Sequence, residues 1–116
     1  MRTTLRRDLT AALKARDRVA VSALRSALAA IDNAEAVPAP DSPTSDAEHV
    51  AGAVVGVGAA EAARRELTAD DLHAIVAAEV AERVDAATGY ARSGRAEAAD
   101  RLRAEADVLR RYLRPE

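Results

Sequence analysis

The sequence predicts an all-α fold: two helical hairpins packed as a small bundle, with a proline- and glycine-rich insert between them. Three observations predict it. Leucine, valine and alanine recur at three- and four-residue spacing in four separate stretches, which is the period of a one-sided helix. The chain holds no internal repeat and no β-α-β pattern. Between the second and third stretches, Pro38, Pro40 and Pro43 fall within six residues, and no helix continues through such a run.

The first helix is expected over residues 4–16. Leu5, Leu9 and Leu13, with Ala12 beside them, form a narrow apolar stripe, and Thr3 or Thr4 is placed to cap its start. Asp17 then reads as a new N-cap for a helix over 18–36. Val21, Leu24, Leu28 and Ile31 follow 3-4-3 spacing there, flanked by Ala20, Ala23, Ala27 and Ala34, small enough to let a neighbouring helix approach closely. The join "ARDR" is so short that it makes either a tight corner or one kinked helix. Residues 37–48, "VPAPDSPTSDAE", read as a flexible linker that buries almost nothing.

The next start signal, "LTADDL", places Thr68 as N-cap, Asp71 three residues on, and Leu67 and Leu72 where a hydrophobic staple would sit. Leu72, Ile75, Val76, Val80, Val84, Ala87 and Ala91 line one side of the helix that follows. Ser93-Gly94 ends it, with the glycine as cap residue. A last helix is expected over 96–113, its apolar face made by Ala98, Leu102, Ala106, Leu109, Tyr112 and Leu113, with Pro115 as its stop. A short turn between two long helices makes an antiparallel hairpin.

At 116 residues the chain fits one domain. It has no Phe, Trp or Cys, and Tyr90 and Tyr112 are its only aromatic residues. The core must therefore come from small aliphatic side chains, which calls for close helix packing. The absence of Cys excludes disulfides, thiolate metal sites and cysteine nucleophiles. "MRTTLRRDL" lacks the apolar run of a signal peptide, and no apolar stretch approaches the ~20 residues that span a bilayer. The expected address is the cytoplasm, with no membrane partner. One lysine, Lys14, among many arginines and alanines suggests a high-GC genome.

"HVAGAVVGVGAA" (49–60) invites a phosphate-loop reading, and that reading fails. A P-loop needs Lys and Ser/Thr after its last glycine, and Ala59 and Ala60 follow here. A dinucleotide loop needs G-x-G-x-x-G after a strand, whereas this spacing is G-x-x-x-G-x-G after a proline-rich linker. A short turning segment with Val54, Val55 and Val57 tucked inward is the expected structure. His49 and His73 lack partners at ligand spacing, so no metal or cofactor is expected. Asp70 and Asp71 sit where helix starts take acids. Ser22 and Ser26 have no candidate base near them in sequence, so no catalytic residue is assigned.

Arginine is the remaining signal. Seven basic residues lie in 1–25 against Asp8 and Asp17. The candidate RNA or partner surface is Arg6, Arg7, Lys14, Arg16, Arg18, Arg25, Arg103, Arg110 and Arg111, with Arg101 and Arg114 also on the last helix. Such residues are equally at home on a solvated helix face, paired with neighbours such as Glu105 and Asp107. The net charge of −2 carries no general pull toward nucleic acid.

"LKARDRVAVSALRSALAAI", "ELTADDL" and "RAEADVLRRYL", in that order within 5–36 and 66–113, resemble the YqeY family. This is a group of small bacterial proteins related to the tail of the GatB subunit of the Asn/Gln-tRNA amidotransferase. The resemblance implies an all-α protein corresponding to the family's N-terminal helical domain (1–116, with 37–66 as linker and insert), the GatB-tail-like domain being absent. The family often carries an amidotransferase label, a carbon–nitrogen ligase using glutamine as amido-N-donor. That label rests on the tail, and no residue here is suited to glutamine hydrolysis or amide transfer. The expected function is a non-catalytic accessory or binding protein linked to tRNA or to the amidotransferase. It predicts a contiguous arginine face from the first and last helices. The alternative is an interaction or homo-oligomerisation module whose Ala/Leu stripes bind a helical partner or a second copy.

Overall fold

Each predicted stretch is helical in the computed structural model, which describes residues 1–36 and 65–114. Helix α1 spans Arg2–Ala15, α2 Arg18–Ala36, α3 Ala69–Arg92 and α4 Ala96–Arg110. A 3-10 turn, Arg111–Leu113, follows α4 where one continuous helix to 113 was expected. The linker 37–48, the glycine stretch 49–60 and Pro115 lie outside the described residues. Residues 1–31 and 68–116 form one unit. Residues 32–67 form a second, in which the Arg65 N–H donates to the Glu35 carbonyl at 3.1 Å.

The helix ends follow local chemistry. At α3 the capping box is complete: the Asp71 N–H donates to Thr68 Oγ1 and the Thr68 N–H to Asp71 Oδ2, both at 3.0 Å. At α2, Asp17 Oδ1 accepts from the Ala20 N–H at 3.1 Å. Helix α1 starts earlier than expected. The Leu5 N–H already reaches the Met1 carbonyl at 2.9 Å, so Thr3 and Thr4 fall inside the first turn and neither caps it.

Two helix C-termini share one motif. After α3, the Arg95 N–H returns to the Tyr90 carbonyl (2.8 Å) and the Gly94 N–H to Ala91 (3.2 Å), with Gly94 at φ 82°. After α1, the Asp17 N–H returns to Ala12 (3.0 Å) and the Arg16 N–H to Leu13 (3.2 Å), with Arg16 at φ 59°. Both are Schellman ends, whose left-handed residue is usually glycine. "ARDR" is therefore a corner between two helices and not a kink within one.

The core of the larger unit is aliphatic. Leu5, Leu24, Ile31, Val76 and Leu109 are its largest fully buried side chains, and Ala23, Ala27, Ala87, Ala99 and Ala106 are buried completely. Alanines at these positions let helix backbones approach closely. The α3–α4 hairpin is antiparallel about Gly94. Arg83 pairs with Glu105, each eleven residues from that glycine, a register that sets Leu109 opposite the stretch holding Val76 and Val80. Leu13 departs from the expected stripe and is 46% exposed. At 3.6 residues per turn, Ala12 returns to within ~20° of Leu5 around α1, whereas Leu13 has drifted by ~80°. Ala12 is accordingly the buried one. Ala91, in the last turn of α3, is also exposed, and Ala99 and Val108 take core places in α4.

Arg16 generates a test. A non-glycine residue in the left-handed region costs roughly 1–2 kcal/mol, and glycine offsets part of that relief through its greater freedom in the unfolded chain, about 0.5–1 kcal/mol. Arg16→Gly is expected to raise the urea unfolding midpoint, by a stability gain of up to ~1 kcal/mol. A lowered midpoint would show that the arginine makes compensating contacts at the corner.

Candidate nucleic-acid interface

The corner between α1 and α2 holds Arg16 and Arg18 on either side of Asp17, whose carboxylate is engaged in capping α2. Arg25 follows Arg18 by two helical turns and shares its face, with Val21 and Ser22 between them. Arg101 comes from α4. Together with the exposed Leu13, these residues line an open hollow of about 620 Å³. All four arginines are exposed. Among the described residues, Arg16, Arg18 and Arg25 make no ion pair, and Arg101 has a loose one, its Nε 3.9 Å from Glu105 Oε2. Four arginines therefore gather here against the Asp17 carboxylate and the more distant Glu105, which leaves an excess of positive charge.

The other members of the predicted surface stand elsewhere. Arg6, Lys14 and Arg111 are exposed and do not line the hollow. Arg7 pairs with Asp8 at 3.4 Å, Arg103 with Asp100 at 3.6 Å and Arg110 with Asp107 at 2.7 Å, all on their own helices. Exposed pairs of this kind contribute ~0–1 kcal/mol each. Of the nine predicted residues, the hollow takes Arg16, Arg18 and Arg25. It also takes Arg101, named above with the arginines of the last helix, and Leu13, expected in the core.

Beneath Arg101 runs a chain of polar side chains. Ser26 Oγ on α2 donates to Glu79 Oε1 on α3 at 2.7 Å. Arg83 Nη1 donates to the same oxygen at 3.0 Å and to the Glu79 carbonyl at 3.1 Å. Arg83 Nε donates to Glu105 Oε1 on α4 at 3.0 Å. The side chains of Glu79, Arg83 and Glu105 are only 13%, 11% and 8% exposed. Glu105, expected on a solvated face, is thus a core residue, because Arg83 neutralises it from the facing helix. Ser26 has a carboxylate beside it after all. That carboxylate is already held by Arg83, and Ser26 does not line the hollow, so the pair makes no exposed nucleophile.

A second link ties α1 to the 3-10 turn: Tyr112 Oη donates to Asp8 Oδ2. Burial, the hydrogen bond to Asp8 and the Asp8 charge together push the Tyr112 phenol well above its ordinary value. Near the hairpin turn the Arg95 guanidinium lies 5.0 Å from the Tyr90 ring centroid. Among the described residues no group of three His, Cys, Asp or Glu is placed to hold a metal ion, and no helix is long and apolar enough to cross a membrane.

A family model described as Yqey-like protein matches residues 57–116, just over half of the chain. The chain belongs to the YqeY family. The matched span contains α3, α4 and the 3-10 turn, and with them Arg101 and the Arg83–Glu105 pair. No curated protein and no solved structure matches this YqeY-like chain.

Tyr112 gives a pH prediction. A phenol whose pKa is raised on folding stabilises the fold fully below its unfolded value, about 10. That contribution is lost as pH rises toward the folded value, because the unfolded chain gives up its proton first. Urea midpoints measured at about pH 8 and about pH 11 are expected to fall more for wild type than for Tyr112→Phe. Equal losses would remove Tyr112 as the source of alkaline sensitivity.

Proposed function

We propose that this YqeY-like chain is a non-catalytic accessory protein of the cytoplasm that binds RNA, tRNA foremost, through the arginine hollow. The observation that carries the reading is the set of three unpaired arginines, Arg16, Arg18 and Arg25, gathered with Arg101 around one depression. Four arginines against Asp17 and the loosely engaged Glu105 leave a net positive patch that favours a polyanion, and arginine's planar fork suits phosphate oxygens. Membership of a family with relatives of the amidotransferase suggests tRNA as the first RNA to try, although the tail that carries that link is not among the parts this chain resembles. It does not support amide-transfer chemistry here, since no nucleophile and base meet in the hollow. Leu13 favours a second reading, self-association through an exposed apolar residue, and sedimentation of the same samples reports on it.

Polarisation titrations with tRNA test the proposal. About four phosphate contacts imply that affinity falls on the order of 10²-fold between about 50 and about 200 mM salt. Replacing Arg18, Arg25 and Arg101 together with alanine is expected to weaken binding at least tenfold and flatten the salt dependence. Replacing Arg103 and Arg110, which are paired on their own helix, is expected to change it less than twofold. Equal effects from both sets, or binding indifferent to salt, would rule the hollow out.

A further inference from the structure

The hollow has a floor as well as a rim. Four arginines share the lining of the hollow with Leu13, which is 46% exposed, and Val21, which is half-buried. A surface that met only phosphates would have no use for an apolar floor between the charges. A flat apolar group laid over Leu13 and Val21 would take apolar surface out of water. A nucleobase is such a cover. It has a flat apolar face, guanidinium planes stack on it, and its own phosphates reach the arginines beside it.

Resting on the RNA reading above, we infer that the hollow takes an unpaired nucleotide of a single-stranded RNA segment. The base covers Leu13 and Val21, and the flanking phosphates lie on Arg16, Arg18, Arg25 and Arg101. Duplex RNA fits poorly. Its bases are stacked and paired, and its accessible groove presents hydroxyls and phosphates rather than base faces. A partner helix also fits poorly. It would need a row of apolar positions over two or more turns, and the floor offers two side chains. The loose Arg101–Glu105 contact fits the same reading. At 3.9 Å it leaves the guanidinium available to turn toward a phosphate, while Glu105 stays satisfied by Arg83.

The test uses the full chain, a fluorescent ten-nucleotide oligoadenylate, and the same length as a blunt RNA duplex. Single strand is expected to bind at least fivefold tighter than duplex at equal salt. Leu13→Asn is expected to weaken single-strand binding at least fivefold and leave duplex binding unchanged, whereas Arg25→Ala weakens both. Should Leu13→Asn fail to fold, a 2-aminopurine base in the wild-type complex reports directly, brightening as it leaves the stack. Duplex bound as tightly as single strand, no effect of Leu13→Asn in a folded variant, or an unchanged 2-aminopurine signal each overturns the base site and leaves the RNA reading standing. Failure of both RNAs and of tRNA overturns both. Capture of an acidic Glu/Leu helical peptide through Leu13, with RNA excluded, replaces the RNA occupant with a protein one.

Discussion

Arg83 and Glu105 meet at 3.0 Å across the α3–α4 hairpin, each side chain about nine-tenths buried. Taking two charges out of water costs several kcal/mol per ion, and their attraction in the interior repays it only when the geometry is good and the remaining polar atoms are satisfied. Here they are. Arg83 also donates to the carboxylate and carbonyl of Glu79, and Glu79 accepts from Ser26 on α2. The pair adds little net stability over a well-packed apolar pair. Its larger effect is on alignment. The facing surfaces are rich in alanine, with Ala87, Ala99 and Ala106 fully buried, and such a surface discriminates weakly between one register and the next. A slip of one turn would preserve most apolar contact and strand two buried charges, which costs roughly 3–5 kcal/mol.

The position of the arginine hollow depends on this alignment. Arg101 precedes Glu105 by one turn on α4, so the register that seats Glu105 against Arg83 also sets Arg101 among the residues of the α1–α2 corner. The same chain of bonds reaches α2 through Ser26, one residue after Arg25. Core and candidate surface are thus built from adjacent residues of the same helices, and the interior pair fixes the spacing of the exterior charges. The Tyr112–Asp8 bond separately joins α1 to the 3-10 turn that follows α4.

How much of this was legible in the sequence varied with the range of the interaction. The capping box at Thr68, the Asp17 cap and the Gly94 turn are set by residues within five positions of each other, and all three were readable. The turn at Arg16 has the same hydrogen bonds as the turn at Gly94, yet the sequence leaves it open between corner and kink, because no glycine marks it. Leu13 reads as core in the sequence since four-residue spacing resembles a stripe over two repeats, although it drifts around the helix. Glu105 and Arg83 are twenty-two residues apart, and each alone reads as a solvated residue on a charged helix. Arg101 belongs with Arg16, Arg18 and Arg25 only after the chain has folded. The candidate site was therefore half visible: its residue type, its α1–α2 half and the contribution of the last helix were legible from local excess of charge, while the choice of Arg101 over Arg103, Arg110 and Arg111, and the apolar lining, came from tertiary structure.

The most direct measurement is a double-mutant cycle on Arg83 and Glu105, read by urea unfolding of wild type, Arg83→Met, Glu105→Leu and the double variant. Arg83→Met leaves the carboxylates of Glu79 and Glu105 without their common partner and is expected to cost ~3–5 kcal/mol; Glu105→Leu leaves Arg83 still paired with Glu79 and is expected to cost less, and the double variant is expected to lose clearly less than the sum of the two. If instead the two single losses simply add, the charges do not depend on each other in the folded state, and the pairing that aligns α3 with α4 and carries Arg101 into the hollow is contradicted.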